Sequence, residues 1–167
     1  MKKSILIIAV ICCLGFLFKI QFIDKDEKKD LIEQVIRNSD AVFDAYKVSV
    51  YEGELKEPNF NSNEAANQFM TRITEGCKDG INFAGYYTLV YWGCGTSCQY
   101  GVLVNRKTGE IIDGYQSSFG SEFKKDSKLI IFNSGLVDED SKSISTDQFA
   151  KLEFKLLENN TFVNVEN

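Results

Sequence analysis

Residues 82–104 constrain the fold more than any other stretch of the chain. They read Asn-Phe-Ala-Gly-Tyr-Tyr-Thr-Leu-Val-Tyr-Trp-Gly-Cys-Gly-Thr-Ser-Cys-Gln-Tyr-Gly-Val-Leu-Val, a run of aromatic and β-branched residues interrupted by glycines. Aromatic and β-branched residues favour strands. Gly93 and Gly95 permit a sharp reversal between them, because glycine adopts positive φ at little cost. We therefore predict two central antiparallel strands joined by a tight connection, Gly93 to Cys98.

The first of these strands, over residues 83–92, is expected to be covered on both sides. Successive side chains of a strand point to opposite faces. One face would carry Tyr86, Thr88, Val90 and Trp92, and the other Tyr87, Leu89 and Tyr91. Neither face is strongly polar, which is typical of a buried strand. Residues 105–109 then indicate a type I turn with a left-handed glycine, which returns the chain into a third strand at residues 110–112.

Cys94 and Cys98 flank Gly-Thr-Ser in the tight connection. A Cys-x3-Cys loop can bring two Cα atoms within the roughly 4.4–6.8 Å that a disulfide needs, so a structural disulfide is the favoured interpretation. Free thiols and a metal site are the alternatives, although a zinc site needs about four ligands. The chain has no histidine. Cys77 is either buried and unreactive, or it competes for one partner of the Cys94–Cys98 pair.

The pattern Asn-Phe-Ala-Gly-x-Tyr, followed by Trp-Gly-Cys-Gly-Thr-x-Cys and a Thr-Gly hairpin, resembles a family of small, exported, uncharacterised bacterial proteins. The resemblance is close over residues 82–109 and looser over residues 45–165. In that family the position after Ala-Gly is often histidine, whereas this chain has Tyr86. Any acid–base role of that histidine would therefore be lost here. The resemblance implies the fold and export rather than a particular activity.

The first 23 residues have the pattern of a signal peptide or signal anchor. Met-Lys-Lys is followed by a nearly unbroken apolar run over residues 5–18, and no Ala-x-Ala-like cleavage site follows. Extended to residue 23, the run approaches the ~20 residues that span a bilayer. We expect an uncleaved anchor over residues 5–23 that holds the exported part at the outer face of a bacterial inner membrane. Signal cleavage, giving a secreted or periplasmic protein, is the alternative. Lipidation at Cys12 or Cys13 is disfavoured, since no small residue precedes Cys12.

The part of the chain after the apolar run is acidic. Residues 24–167 carry 16 basic residues against 24 acidic ones, and therefore a net charge of −8. Nucleic acids and anionic lipids attract basic faces, so nucleic-acid binding is not expected. The lack of histidine excludes Ser-His-Asp and Cys-His catalysis, and no phosphate-binding glycine loop or dinucleotide fingerprint is present. No cofactor and no metal are predicted.

Two helices are predicted ahead of the central strands. A linker helix is expected over residues 24–40. A second helix is expected over residues 61–75, capped by Asn61 and ended by Gly76. The apolar face of this second helix would consist of Ala65, Ala66, Phe69, Met70 and Ile73.

The remaining pattern predicts one α+β domain over residues 41–167. Short strands are expected at Tyr46–Tyr51 and Leu129–Phe132, and a final hairpin from Phe149–Leu157 and Thr161–Val165. Residues 114–125 read as a serine- and glycine-rich loop. The resulting fold is an antiparallel, meandering sheet of about six strands with one helix packed on a face.

A non-enzymatic binding function at the cell envelope follows best from these features. The partner would be a protein or an envelope component, and an inhibitor or immunity protein is a special case. The candidate binding residues lie in the stretch Trp92–Tyr100, around the tight connection, and in the 114–125 loop: Trp92, Thr96, Ser97, Gln99, Tyr100, Tyr115 and Phe119. The alternative is a thiol-dependent enzyme or redox protein that uses Cys94 and Cys98. The oxidation state and reactivity of these two thiols distinguish the hypotheses.

Overall fold

The computed structural model describes residues 38, 40–138, 143–145, 147 and 150–165. The predicted signal segment and nearly all of the predicted linker helix lie outside these residues, although residues 40–44 are helical. Among the residues described, no helix has the length and apolar character that crossing a bilayer requires. The described part is an α+β fold with antiparallel sheets and one main helix, as the sequence predicted.

The elements follow one another in a simple order. A 3-10 helix at Phe60–Ser62 and a second at Glu64–Phe69 lead directly into the main helix, α1, at Met70–Cys77. A third 3-10 helix lies at Ser134–Leu136. The strands are β1 (Tyr87–Gly95), β2 (Cys98–Asn105), β3 (Ile111–Ser117), β4 (Ser121–Phe123), β5 (Leu129–Phe132), β6 (Val137–Asp138), β7 (Ser143–Ile144), β8 (Glu153–Glu158) and β9 (Thr161–Asn164).

The strands form separate antiparallel sheets and not the single six-stranded sheet that was predicted. Within the described residues the sheets have the orders β1-β2-β3, β4-β5-β8-β9 and β6-β7. The chain leaves β3 at Ser117 and turns through Gly120, whose φ is 73°, into β4. β4 then pairs with β5 instead of extending the first sheet. An apolar sheet face must be covered by another layer, and here the second sheet supplies that layer.

The first sheet is covered on both faces near its centre, as expected from the sequence of β1. Tyr87 and Leu89 point into a core shared with Ile130 and Phe132 of the second sheet. The opposite face, which includes Val90, packs against α1. Two further side chains of that face, Trp92 and Val102, contact the same cluster as Ile73 and Cys77 of the helix. β1, an edge strand of the first sheet, therefore lies between the helix on one face and the second sheet on the other.

The predicted helix over residues 61–75 begins later and ends later than expected. Asn59 and Asn63, not Asn61, accept the capping hydrogen bonds, and the chain adopts 3-10 geometry as far as Phe69. Asparagine side chains compete for backbone hydrogen bonds in this way. Because a 3-10 helix has fewer residues per turn, the buried face shifts: Ala66 and Ile73 are buried, whereas Met70 is 47% exposed. Ala65 is also exposed.

Gly76 does not end α1, which continues to Cys77. A Cβ atom at position 76 would lie 2.7 Å from Cγ1 of Val90. Glycine therefore allows the last turn of the helix to approach β1 closely.

The prediction of a strand at Tyr46–Tyr51 was wrong. Lys47 forms one isolated bridge with Ser127, and the following residues are extended without a ladder. The backbone N–H groups of Val48, Tyr51 and Lys56 donate to the carbonyls of Asp126, Gly85 and Arg106, at 2.8, 2.7 and 2.8 Å. Because these acceptors belong to different segments, no continuous strand pairing forms.

The prediction that residues 114–125 form a loop was also wrong, because β3 continues to Ser117 and β4 begins at Ser121. The strand passes close to its neighbour at Gly114, where an added Cβ atom would lie 1.0 Å from the carbonyl oxygen of Gly101. The register between β2 and β3 shifts between Gly101 and Leu103. The serine and glycine residues thus belong to an irregular strand rather than to a recognition loop.

Several local predictions are confirmed. The β2–β3 turn closes with a hydrogen bond from the N–H of Gly109, at a φ of 83°, to the carbonyl of Asn105 at 2.7 Å. Leu129–Phe132 is a fully buried strand. The last hairpin is formed by β8 and β9, although β8 begins at Glu153, later than predicted. Its two turn residues, Asn159 and Asn160, have φ values of 47° and 63°. Positive φ at both central residues is typical of a type I′ hairpin.

Candidate functional site

An open groove of about 460 Å³ lies between the far end of the β1–β2 hairpin and the helical segment 64–72. We call it the hairpin groove. Its lining is mostly apolar and aromatic, with two amides and one guanidinium: Ala65, Ala66, Gln68, Phe69, Arg72, Trp92, Gly93, Cys94, Cys98, Tyr100, Val102 and Gln116. Small-molecule and side-chain binding sites commonly have about 300–1,000 Å³, so the hairpin groove is large enough to accept a ligand group.

Three aromatic rings form the wall of the hairpin groove. Trp92 and Tyr100 are direct partners in the β1–β2 register, and their ring centroids lie 5.4 Å apart. Direct partners across two antiparallel strands place their side chains on the same face. Phe69, the last residue of the second 3-10 helix, covers them from the side, with its centroid 4.6 Å from that of Trp92 and 6.3 Å from that of Tyr100. Trp92 is 8% exposed, so Phe69 and Tyr100 present more of this wall to solvent.

The disulfide between Cys94 and Cys98 lines one end of the groove, which confirms the favoured interpretation of this pair. The two Cα atoms lie 5.2 Å apart. The reversal between them uses positive φ at Gly95 and Ser97, 137° and 51°. The amide nitrogen Nε2 of Gln116 donates to Sγ of Cys98 at 3.4 Å. Cys94 is exposed, so the disulfide is accessible from solvent.

The charge of the hairpin groove differs from that of the chain as a whole. The chain has a net charge of −5, yet no acidic residue lines the groove. Arg72 supplies a positive charge, and no ion pair joins it to another residue in the part of the chain that the structure describes. An exposed guanidinium with five donors is suited to a carboxylate of a ligand.

The structure brings together only some of the side chains that the sequence singled out. Trp92 and Tyr100 lie in the groove with Cys94 and Cys98. Thr96 and Ser97 are exposed at the tip of the hairpin.

The other three predicted residues point elsewhere. Gln99 faces away from the groove, and its Oε1 accepts a hydrogen bond from the hydroxyl of Ser117 at 3.3 Å. Tyr115 is 7% exposed and packs in the core between the sheets, 4.8 Å from the ring of Phe132. Phe119 is half-buried, and its N–H donates to Oδ1 of Asn133.

Sequence reasoning missed Phe69, Arg72 and Gln116. The sequence analysis placed Phe69 on the helix face that packs on the sheet. Its ring does contact Trp92 of the sheet, but it also lines the groove, which was not predicted. Gln116 reaches the groove because it pairs with Tyr100 across β2 and β3, in a region that was read as a loop. No local signal identifies a residue whose position depends on this long-range pairing.

Cys77 lies outside the groove and is buried as a free thiol at the end of α1. Burial raises the pKa of the Cys77 thiol to about 11, although the nearby charge of Arg106 acts in the opposite direction. The first of the two alternatives for Cys77, a buried and unreactive thiol, therefore fits its position. In the described residues, no group of three or more histidine, cysteine or acidic side chains could hold a metal ion.

The groove and its disulfide thus form a site built from the hairpin end and the helical segment. The resemblance to the small exported bacterial proteins stays a prediction. Comparison of the chain with protein-family models, with curated proteins and with solved structures finds no match.

Proposed function

We propose that this chain is a non-enzymatic binding domain of the cell envelope, and that it binds a segment of a partner protein in the hairpin groove. The observation that supports the proposal most is the combination, at the same groove, of a three-ring aromatic wall with Arg72, which forms no ion pair among the described residues. Aromatic and arginine side chains contribute most of the binding energy at many protein interfaces. A partner segment with a large apolar side chain next to a carboxylate has the matching chemistry.

The lining of the groove favours binding over proton-transfer chemistry. Its side chains are aliphatic, aromatic, amide and guanidinium groups together with a disulfide. A general acid or base needs a pKa near the working pH, which these groups do not ordinarily have. Burial of apolar surface against the aromatic wall would provide affinity. Arg72 would select for partners that carry a negative charge at the matching position.

Export remains part of the proposal. The apolar segment over residues 5–23 would hold the domain at the outer face of a bacterial inner membrane, with secretion after cleavage as the alternative. Mass spectrometry of the protein isolated from its own host distinguishes the two. An intact N-terminus in the membrane fraction supports the anchor, whereas a chain shortened by the first 23 or so residues supports cleavage.

Site-specific photo-crosslinking in the full chain tests the groove. A photoreactive amino acid replaces Gln68, which lines the groove, and in a control it replaces Glu52, which is exposed on a different segment. We expect a discrete adduct only from position 68. Adding Arg72→Glu should abolish this adduct, whereas Arg72→Lys should retain part of it, because the proposed contact depends on positive charge.

Two results would contradict a partner segment in the groove. One is an adduct that forms equally from positions 68 and 52, or that survives Arg72→Glu. The other is an internal crosslink from position 68 to residues 1–37, which would identify the N-terminal part of the same chain as the occupant. Sequencing of the crosslinked peptide by mass spectrometry separates these cases.

A thiol-exchange function is the second candidate, because the Cys94–Cys98 disulfide is accessible and lies beside the groove. In such an exchange, a thiolate of a partner dithiol would attack one sulfur to form a mixed disulfide. The partner's second thiolate would then release reduced Cys94 and Cys98 while the partner becomes oxidised. Alkylation before and after mild reduction tests this function. A disulfide that resists mild reductant, in a chain whose Cys94→Ser/Cys98→Ser variant still crosslinks, argues for binding alone.

A further inference from the structure

A second, smaller cavity of about 160 Å³ shares no residue with the hairpin groove. We call it the Tyr86 cavity. It is lined by Val48, Ser49, Ala84, Tyr86, Tyr87, Lys107, Lys128, Leu157 and Asn159. Its volume lies below the roughly 300–1,000 Å³ of ordinary small-molecule sites, so it suits a small ion or the end group of a larger ligand.

A strained loop positions the two tyrosines of this cavity. Phe83 and Tyr87 exchange backbone hydrogen bonds of 3.1 and 3.0 Å around residues 84–86. To close this loop, Ala84 adopts a φ of 47°, a conformation that is unfavourable for a residue with a Cβ atom. The N–H of Ala84 donates to the carbonyl of Ser127, and that of Gly85 to the carbonyl of Lys125, which hold the loop in place. Backbone strain of this kind is concentrated at functional sites.

The cavity is positively charged in an otherwise acidic chain. Lys107 and Lys128 line it and no acidic residue does. The ammonium of Lys107 lies 4.0 Å from the ring centroid of Tyr86 and 5.2 Å from that of Tyr51. Within the described residues Lys107 has no carboxylate partner, so no ion pair compensates its positive charge. Its ammonium group has three N–H donors that can bind an anion.

In the described part of the chain, the one ion pair of Lys128 is a weak competitor for its charge. Its Nζ lies 3.5 Å from Oε1 of Glu158, whose side chain is 48% exposed. Exposed ion pairs contribute little, because water screens both charges. A ligand anion inside the cavity could therefore interact with the ammonium groups of both lysines.

The hydrogen bonds of the tyrosines leave one hydroxyl proton for a ligand. Tyr87 donates to Oδ1 of Asn160 at 2.5 Å, and Nδ2 of Asn160 donates to Oε2 of Glu110 at 3.4 Å. The proton of Tyr87 is therefore already used. The hydroxyl oxygen of Tyr86 lies 3.3 Å from that of Tyr87, a long contact that Tyr86 can exchange for a bond to an anion.

We propose that the Tyr86 cavity binds a small oxyanion, a carboxylate or a phosphate, between the ammonium groups of Lys107 and Lys128 and the hydroxyl of Tyr86. Hydrogen bonds from charged donors to an anion are about twice as strong as neutral ones. In a small cavity, several of these donors can bind the same oxyanion. The oxyanion can be a free ion or the end group of a larger molecule.

Titration of the full chain in a non-ionic detergent, followed by the NMR signals of the backbone amides, tests this site. The probes are sodium phosphate and sodium acetate, added at constant ionic strength maintained with sodium chloride. We expect saturable shifts at Ala84, Tyr86 and Lys107. Lys107→Gln and Lys128→Gln should each weaken binding about tenfold or more, and Tyr86→Phe, which keeps the ring, about fivefold. Lys151→Gln removes an exposed lysine elsewhere and should leave the binding unchanged.

The two probes distinguish the sources of the oxyanion. Saturation by phosphate alone assigns a phosphate site, saturation by acetate alone a carboxylate site, and competition between them a general oxyanion site. The proposal is overturned if neither probe gives saturable shifts. It is also overturned if the Lys107, Lys128 and Tyr86 variants bind like the unmodified chain, or if Lys151→Gln weakens binding as much as they do. If Lys107→Gln fails to fold, the binding titrations of Tyr86→Phe and Lys128→Gln still test the proposal.

Discussion

The guanidinium of Arg106 donates a hydrogen bond of 2.6 Å to the backbone carbonyl of Cys77, the last residue of α1. Arg106 is 3% exposed, and its Nε also donates to the carbonyl of Lys56 at 3.0 Å. It therefore joins the β2–β3 turn, the end of the helix and the extended segment that precedes the 3-10 helices. A positive charge at this place also complements the carbonyl groups that remain unpaired at a helix C-terminus.

Replacing Arg106 should destabilise the fold strongly. Arg106→Met removes the donor to the carbonyl of Lys56 and the shorter of two donors to the carbonyl of Cys77, which also accepts from the N–H of Gly80 at 3.1 Å. We expect the free energy of unfolding to fall by about 2–4 kcal/mol, because the lost bonds come from a charged, buried donor. The matched control is Arg72→Met, which changes an exposed arginine and should alter stability by less than about 0.5 kcal/mol. Urea unfolding followed by the fluorescence of Trp92 measures both. Equal effects of the two substitutions would show that the buried network does not stabilise the fold.

Gly76→Ala should destabilise the protein even though alanine favours helices. Helix propensity alone predicts a gain of about 1 kcal/mol. The new Cβ atom would lie 2.7 and 2.9 Å from the two methyl groups of Val90, so α1 and β1 must move apart. We expect a net loss of about 1–3 kcal/mol. Thr71→Ala, at an exposed position of the same helix, should instead be neutral or slightly stabilising. A Gly76→Ala variant that is more stable than the original chain would contradict the close approach.

Removal of the disulfide should have a modest effect on stability. The bond closes a very short loop, with a sequence separation of 4, for which loop-closure entropy predicts about 2 kcal/mol. We expect Cys94→Ser/Cys98→Ser to unfold at lower urea concentration by this amount and to be insensitive to reductant. The original chain should show the same loss only after reduction. Unchanged stability of the double variant would mean that the loop is already ordered without the bond.

Stability should fall at alkaline pH because buried protonated groups must ionise. Burial raises the pKa of Cys77 to about 11, and it raises the pKa values of Tyr87 and Tyr115 as well. Since the folded state binds these protons more tightly than the unfolded state, their contribution is complete below pH ~8.5, the ordinary thiol pKa, and is lost as the pH rises through the folded-state values.

Urea unfolding at a series of alkaline pH values, together with phenolate absorbance, measures this loss. Tyr115→Phe should flatten the decline above pH ~10, the ordinary pKa of tyrosine. Alkylation of Cys77 in the folded protein at neutral pH should be slow, because the thiolate is the reactive form. A free energy of unfolding that stays constant through this pH range, or rapid labelling of Cys77, would argue against burial as the cause.

Much of the local structure could be predicted because it depends on neighbouring residues. The alternation along Tyr87–Val90, the spacing of Cys94 and Cys98 and the turns at Gly109 and Asn159 each follow from preferences that act over a few residues. The candidate site was predicted in part for the same reason, since Trp92 and the two cysteines belong to one hairpin.

One error had a local cause, and the others occurred where distant parts of the chain decide the outcome. The 61–75 helix was misplaced because Asn59 and Asn63 compete for its first backbone donors, and Met70 turned outward as a result. Tyr115 was predicted to be available for recognition, whereas the second sheet covers it. Periodicity reports which side chains share a face of an element, and it does not report which element covers that face.

The sequence by itself therefore determined an α+β fold with a disulfide-closed hairpin. It also determined that the chain has a net negative charge and no histidine. Only the tertiary structure decided that β4 leaves the first sheet, that Phe69, Arg72 and Gln116 meet the hairpin in a groove, and that Lys107 and Lys128 share a cavity. The physical reason is the range of the interactions. Turns and alternation are set by local sterics, whereas sheet partners and cavities arise from the burial of surfaces that are far apart in the chain.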